Sequence, residues 1–235
     1  MIGAVVNAAS LNSNFMVAPG EIVSLFGSSW GPSMGVNGQF DDTGRLTTSL
    51  SGVSVLFDGK PAPLFYAGAG QINAQAPASV ASSYSVGVRV QYNGLTSDES
   101  QVEVQPASPG IFGSVTSQGR GAAIINADGT INSAANPAVR GSVVSMFATG
   151  GGMTVAPVPD GVPEPGAASL SLPVGVAVNG AAARIFYAGS APSYAGVTQV
   201  NLEIPDDLKV RSGLNTLLLS VGAPSNADIS GVFVK

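Results

Sequence analysis

The chain has 235 residues, of which 45% are hydrophobic and only 10% charged, with 31 Gly, 16 Pro and a formal net charge of −5. That balance supplies a core and many turns, and it excludes the basic face that nucleic acid would need. With no Cys and no His, disulfide frameworks and thiolate metal sites are excluded, and the commonest general base is missing.

Residues 4–10, AVVNAAS, read as a short strand of small apolar residues. After the loop Leu11–Pro19, EIVSLFG at 21–27 reads as a buried-type strand introduced by the Pro19-Gly20 turn. Residues 28–51 form a long polar, Gly-rich loop with the only Trp, Trp30, and the acidic pair Asp41-Asp42. In residues 52–77 an alternating strand (Val53, Val55, Phe57) meets a turn at Gly59. A second strand ends in Phe65-Tyr66-Ala67-Gly68, and a third carries Gln71-Ile72-Asn73 before Pro77. Residues 84–105 read as a hairpin around Asn93-Gly94.

Pro106–Gly110 reads as a hinge. Beyond it come IFGSV, a turn at Gln118–Gly121 and AAIIN at 122–126. Here the pattern restarts, because AIINADG matches AVVNAAS and RGSVVSMFATG at 140–150 matches PGEIVSLFGSS. After a second long loop at 150–173, residues 175–205 repeat the earlier series: Val176 and Val178, Gly180, Phe186-Tyr187-Ala188-Gly189, Gln199-Val200-Asn201 and Pro205. The last hairpin is NTLLLSVGAPSNADISGVFVK, and helical periodicity is nearly absent, with at most one turn at Asp206–Val210.

Five motifs repeated in one order mean an internal duplication. Each half holds about seven short strands with regular turn signals, the expectation for an immunoglobulin-like β-sandwich. The predicted fold is all-β, two tandem immunoglobulin-like β-sandwiches at 1–106 and 107–235. A single larger jelly roll is the alternative.

The series VVNAAS, APGEIVSLFG, GVSVLFDGKPAPLFYAGAGQINAQAP, SPGIF, GAAIIN, NPAVRGSVVSMFATG and YAGVTQVNLEIP resembles the uncharacterised C-terminal domain of many large secreted proteins of acidobacteria. The resemblance covers nearly the whole chain. It implies export and a β-sandwich module at the cell surface or beyond, and it brings no catalytic residue, cofactor or metal. That family's module usually terminates much longer chains, and the expectation here is a free-standing copy. MIGAVVNAAS lacks the basic start and full apolar run of a signal peptide, so either the chain is cytosolic or a leader lies outside this numbering. With the resemblance, the expected location is extracellular or at the cell surface after removal of that leader.

No residue pattern selects a catalytic site. Gly150-Gly151-Gly152 is not followed by the Lys and helix of a phosphate loop, and a Ser nucleophile has no His partner. Asp41-Asp42 and Asp206-Asp207 lack the spacing of a dedicated calcium loop. At the repeat motifs, Phe65 and Phe186 are expected to fill the cores, with Tyr66 and Tyr187 capping them by hydrogen bonds. Gln71 with Asn73, and Gln199 with Asn201, share a strand face and are expected to bond neighbouring loop backbone.

The copies differ at their starts. SPGIFGSV precedes GAAIIN in the second, whereas the first begins at once with GAVVNAAS. Two readings are open: the first sandwich closes without the extra strand, or its N-terminal segment is free to pair with another chain. The second reading makes Ala4, Val5, Val6, Asn7, Ala8 and Ala9 a donated strand, and the protein a non-catalytic extracellular structural subunit assembling head to tail, with copies of itself as partners. The alternative is a carbohydrate-binding or adhesion module using Trp30 or the Tyr residues. Neither reading involves a cofactor, nucleic acid or membrane insertion.

Overall fold

The computed structural model describes residues 2–12, 16–223 and 227–235. Part of the expected loop Leu11–Pro19 and the turn of the last hairpin, 224–226, lie outside the described residues. The first half contains β1 (Ile2–Asn7), β2 (Met16–Val17), β3 (Ile22–Gly27), β4 (Val36–Asn37), β5 (Val53–Phe57), β6 (Lys60–Pro61), β7 (Leu64–Ala67), β8 (Gln71–Gln75), β9 (Ser85–Tyr92), β10 (Leu95–Thr96) and β11 (Ser100–Val104). The second contains β12 (Gly110–Ile111), β13 (Gly113–Thr116), β14 (Gly119–Ala122), β15 (Ile124–Ile125), β16 (Val143–Thr149), β17 (Val174–Val178), β18 (Ala181–Ala182), β19 (Ile185–Ser190), β20 (Thr198–Glu203), β21 (Gly213–Val221) and β22 (Ala227–Val234).

Each half packs two sheets face to face, and the fold is a tandem of immunoglobulin-like sandwiches. In the first, β1-β3-β8-β7-β4 faces β2-β11-β9-β5-β6. In the second, β12-β16-β20-β19, with β15 also on β16, faces β13-β14-β22-β21-β17-β18. No sheet mixes strands of the two halves among the described residues. The parallel pairs β2 with β11 and β14 with β22 close one edge of each sandwich. The helical structure among the described residues is a single 3-10 turn, Ala78–Ser82.

Period-two alternation decides which side chains meet. Val53, Val55 and Phe57 on β5 and Val86, Val88 and Val90 on β9 point inward against Val23, Leu25 and Ile72. The second core gathers Met146, Val176, Val178, Val200, Leu202, Leu217 and Leu219. Hairpin turns hold the registers. Asp58-Gly59, Asn93-Gly94 and Asn179-Gly180 all have positive φ at both residues, as a two-residue turn matching strand twist requires.

One expectation about the cores fails. Phe65 is only half-buried and Phe186 is 52% exposed, so neither fills a core. A β-bulge is the reason: Leu64 pairs with Ala74 and Tyr66 with Asn73, and Ile185 pairs with Leu202 and Tyr187 with Asn201. The extra residue in each bulge is the Phe, which breaks the alternation and turns outward. Leu64 takes the inward place in the first copy.

The two positions therefore differ in energetic weight. Leu64→Ala is expected to destabilise the chain by about 2–5 kcal/mol, through lost burial plus a cavity, and Phe186→Ala by less than about 1 kcal/mol. Urea denaturation of both variants tests this, and comparable losses would contradict the bulge assignment.

Candidate functional site

The repeat motifs build matching polar rows on the outer face of one sheet in each sandwich. Asn73 Oδ1 accepts from Ser24 Oγ at 2.9 Å and from Gln71 Nε2 at 2.8 Å. In the second copy Asn201 Oδ1 accepts from Ser145 Oγ at 3.0 Å and from Gln199 Nε2 at 2.9 Å. The amides thus bond each other and a Ser on the adjacent strand, not loop backbone as expected. Cross-strand register explains it, since Ser24 lies opposite Asn73 and Ser145 opposite Asn201. Tyr66 and Tyr187 flank the same Asn residues. The Tyr187 hydroxyl donates to Ser190 O at 2.6 Å, tying down its own loop, and the Tyr66 ring lies over Gly35, where a Cβ would collide with it.

Ala4, Val5, Val6 and Asn7 sit in β1, and Ala8 and Ala9 in the turn that follows it. β1 is an edge strand paired with β3 from Ile2 to Asn7, and Ile2 and Val5 belong to the first core. Within one chain this segment is therefore folded into its own sandwich. The expected difference between the copies takes another form. Gly110–Ile111 and Ile124–Ile125 share the edge of β16 that corresponds to the edge of β3 filled by β1 alone. Between them the β13–β14 hairpin crosses to the opposite sheet.

The densest polar construction is the seam between the sandwiches, where sequence reasoning placed only a hinge. Thr149 Oγ1 accepts from Ile22 N at 2.8 Å and donates to Gly196 O at 2.7 Å. Asn7 Nδ2 donates to Ser108 O, Gly161 N to Gln75 Oε1, Ala78 N to Asp160 Oδ1 and Leu46 N to Gly161 O. Arg120 reaches across from β14, pairing with Asp228 at 3.1 Å and donating to the carbonyls of Ala9 and Ile111. Val6, Ala18 and Ile22 on one side and Ala191 and Ala195 on the other are buried without joining either core.

Gly150-Gly151-Gly152 has its role here. Gly150 and Gly152 take φ of 74° and 78°, and a Cβ on either would strike the linker carbonyl of Ser108 or Pro106. Glu21 lies in the same place, fully buried, with Oε2 accepting from Ala18 N at 2.6 Å and Oε1 without a partner. The two ion pairs among the described residues, Arg89–Glu99 and Arg120–Asp228, leave it no cation. Burial pushes its carboxyl up to about 8, outweighing the Ala18 N–H and the nearby Asn7 and Ser108 side chains that favour ionisation. A lone acid opening an apolar strand was the available signal for Glu21. Nothing in the sequence marked Thr149 or Arg120.

No arrangement of reactive groups emerges elsewhere among the described residues. Asp41 caps its own turn, accepting from Thr43 and Arg45, which lowers its pKa, chiefly through the Thr43 hydroxyl. Asp207 likewise accepts from Lys209 N. No group of three Asp or Glu that could hold a metal occurs among the described residues. Trp30 packs against the first core. The seam cleft, at 80 Å³, is smaller than a metabolite site. A 640 Å³ groove beside β13 is lined by residues such as Phe112, Ala122, Ile131 and Phe233 and by no charged side chain.

No family model matches the chain, and no curated protein matches it. Among solved structures it is similar to the I9–I11 tandem from titin, at 8% identity over 98% of this chain and 65% of that one, with a TM-score of 0.24. The titin tandem A164–A165 gives 8% identity, 94% and 90% coverage and a TM-score of 0.24. Domains 4–9 of the surface layer protein SbsC give 13% identity, covering all of this chain and 30% of that one, with a TM-score of 0.23. The chain thus spans less than two thirds of the first and third of these structures.

Glu21 makes stability depend on pH. Between the ordinary carboxyl value of 4.5 and about 8, the folded chain keeps a proton that the unfolded chain releases, so stability falls as pH rises through that window. Above it both states are ionised and the decline stops. Thermal melts at pH 5 and pH 8.5 are expected to show a loss for the natural chain that Glu21→Gln largely removes. An equal decline in both proteins would contradict the buried neutral acid.

Proposed function

We propose that this chain is a non-catalytic structural module of the cell exterior that assembles head to tail with copies of itself. The observation that carries this reading is the seam. Its backbone and side-chain bonds run between the sandwiches at several separate points, making the pair one stiff unit suited to bearing load or spacing. The scarcity of charge, 10% of residues, lowers repulsion between stacked copies. The acids caught in turns and the lack of any His or Cys give reaction chemistry little to work with. No helix of the described residues is long and apolar enough to cross a membrane, and an exported role follows the resemblance of the whole chain.

Strand donation is one way to join copies. β1 lies at a sheet edge with a single partner strand, and its six residues carry no charge, so the edge lacks the Lys or Pro that usually blunts one. Since β1 completes its own sandwich, donation means exchange of β1 between copies rather than use of a loose arm.

A carbohydrate-binding reading rests on Phe186, exposed at its bulge with the Arg184 guanidinium 4.6 Å from its ring centre. Glycan-array binding abolished by Phe186→Ala would favour it.

The structural reading predicts association that rises with concentration in sedimentation velocity, with end-to-end particles in electron micrographs. A cysteine lock tests the exchange version cleanly, because the chain has no Cys. Ala4 and Phe26 are cross-strand partners outside the core, so A4C/F26C oxidised to a disulfide fixes β1 to β3. Exchange predicts a monomer when oxidised and assembly when reduced. Assembly in both states removes exchange, and a natural chain that stays monomeric at high concentration removes self-assembly altogether.

A further inference from the structure

The duplication allows one end of the molecule to be compared with the other. The two sandwiches share a hydrogen-bond pattern at the end where β3 and β16 begin. Glu21 N donates to Ala18 O as Ser142 N does to Val139 O, both at 3.1 Å. Gly20 N reaches Ala76 O as Gly141 N reaches Ile204 O, and both glycines have φ of 75°. Gln105 N reaches Val17 O as Lys235 N reaches Ala138 O. Cross-strand register completes the match: Val6 lies opposite Ser24 as Ile125 lies opposite Ser145, and Ile22 opposite Gln75 as Val143 opposite Glu203.

Equivalent positions have opposite fates. Ala18, Ile22 and Val6 are 0%, 7% and 4% exposed, whereas Val139, Val143 and Ile125 are 50%, 41% and 40% exposed. The first set is covered at the seam by the other sandwich; Gly196, for example, lies directly against Ile22. The second set keeps three β-branched apolar residues in water on a face whose twin is an interface. Leu208, in the loop that follows Ile204, is also exposed. Clustered apolar exposure of this kind marks an interaction surface.

We propose that the Ile125–Val139–Val143 face of the second sandwich docks on the far end of the first sandwich of a second copy, repeating the seam between chains. This rests on the self-associating reading above and names the surface for it. The occupant follows from the repeat. Thr149, which accepts the Ile22 N–H at the seam, is matched in the first sandwich by Ser28, two residues after Phe26 as Thr149 is two after Phe147. Ser29, with φ of 64°, likewise matches Gly150, with φ of 74°. Ser28 and Ser29 are exposed, residues 28–34 carry no charge, and Met34 in that loop offers exposed apolar surface. The contact joins unlike ends, so it propagates from copy to copy unless the rotation closes a ring.

The repeat is incomplete in one respect. Residues 191–197 of the second sandwich, which cap Ile22, have no counterpart in the first, where Gly68–Gly70 joins β7 to β8 directly. The contact between chains therefore covers less surface than the seam and is reversible.

Two measurements on the full chain test the surface. Single-cysteine variants Ser28→Cys and Val143→Cys, mixed and gently oxidised, are expected to give mainly the S28C–V143C disulfide dimer, with little of either homodimer. In sedimentation velocity, Val143→Asp is expected to weaken association by about tenfold or more, and the exposed position leaves the fold intact. A predominance of V143C homodimers, or association of Val143→Asp equal to that of the natural chain, would overturn the docking face while leaving self-assembly standing. A natural chain that neither associates nor cross-links would overturn both.

Discussion

The joint between the sandwiches depends on buried polar groups of one half that find their partners in the other, as the Ile22 N–H does at the hydroxyl of Thr149. That hydroxyl takes the N–H of Ile22 from one sandwich and gives its proton to the carbonyl of Gly196 in the other. A buried backbone N–H without a partner costs free energy comparable to a lost hydrogen bond, so this contact, with the other bonds across the seam, holds the sandwiches close. The close approach in turn requires Gly150 and Gly152, since a side chain at either would strike the linker. It also buries Glu21 beside that linker, where the acid is most stable uncharged. The arrangement contrasts with tandem modules on open linkers, where relative motion is the default.

Within each sandwich the construction is repetitive for a simple reason. Inward positions are filled chiefly by Val, Leu, Ile and Ala, and outward positions of one sheet carry a row in which Ser and Gln donate to a shared Asn oxygen. Such internal bonding lets a face be half-buried without charge, which suits a chain with few ionic groups. Its hydroxyl and amide groups are structural in both copies, and the Tyr187 hydroxyl is spent on Ser190.

The low charge has a second consequence. Most sheet edges here are short or carry protection: β6 is Lys60-Pro61, and the edge of β19 is partly covered by residues 168–170. β1 and the end face around Val143 lack such devices. At β1 this leaves an uncharged outer strand edge, and at Val143 an exposed apolar face.

The sequence by itself determined the long strands, the tight turns between them and the duplication, while the two-residue strands β2 and β4 fall in stretches read as loops. Alternation in VSVLF and the Asn-Gly and Asp-Gly pairs act through nearest neighbours, which a linear reading sees. It also limited the reaction chemistry, because missing residue types stay missing whatever the fold. Tertiary structure decided where Phe65 and Phe186 point, since a bulge shifts alternation by one residue and depends on the partner strand. It decided that β1 is an edge strand completing its own sandwich, that Glu21 is buried and that Gly150 and Gly152 make room for the linker. It also decided that Ile22 is covered while Val143 is bare. Each of these depends on contacts between residues far apart in the chain, such as Ile22 with Thr149, 127 positions away, and no local pattern of apolar and polar residues encodes such a distance.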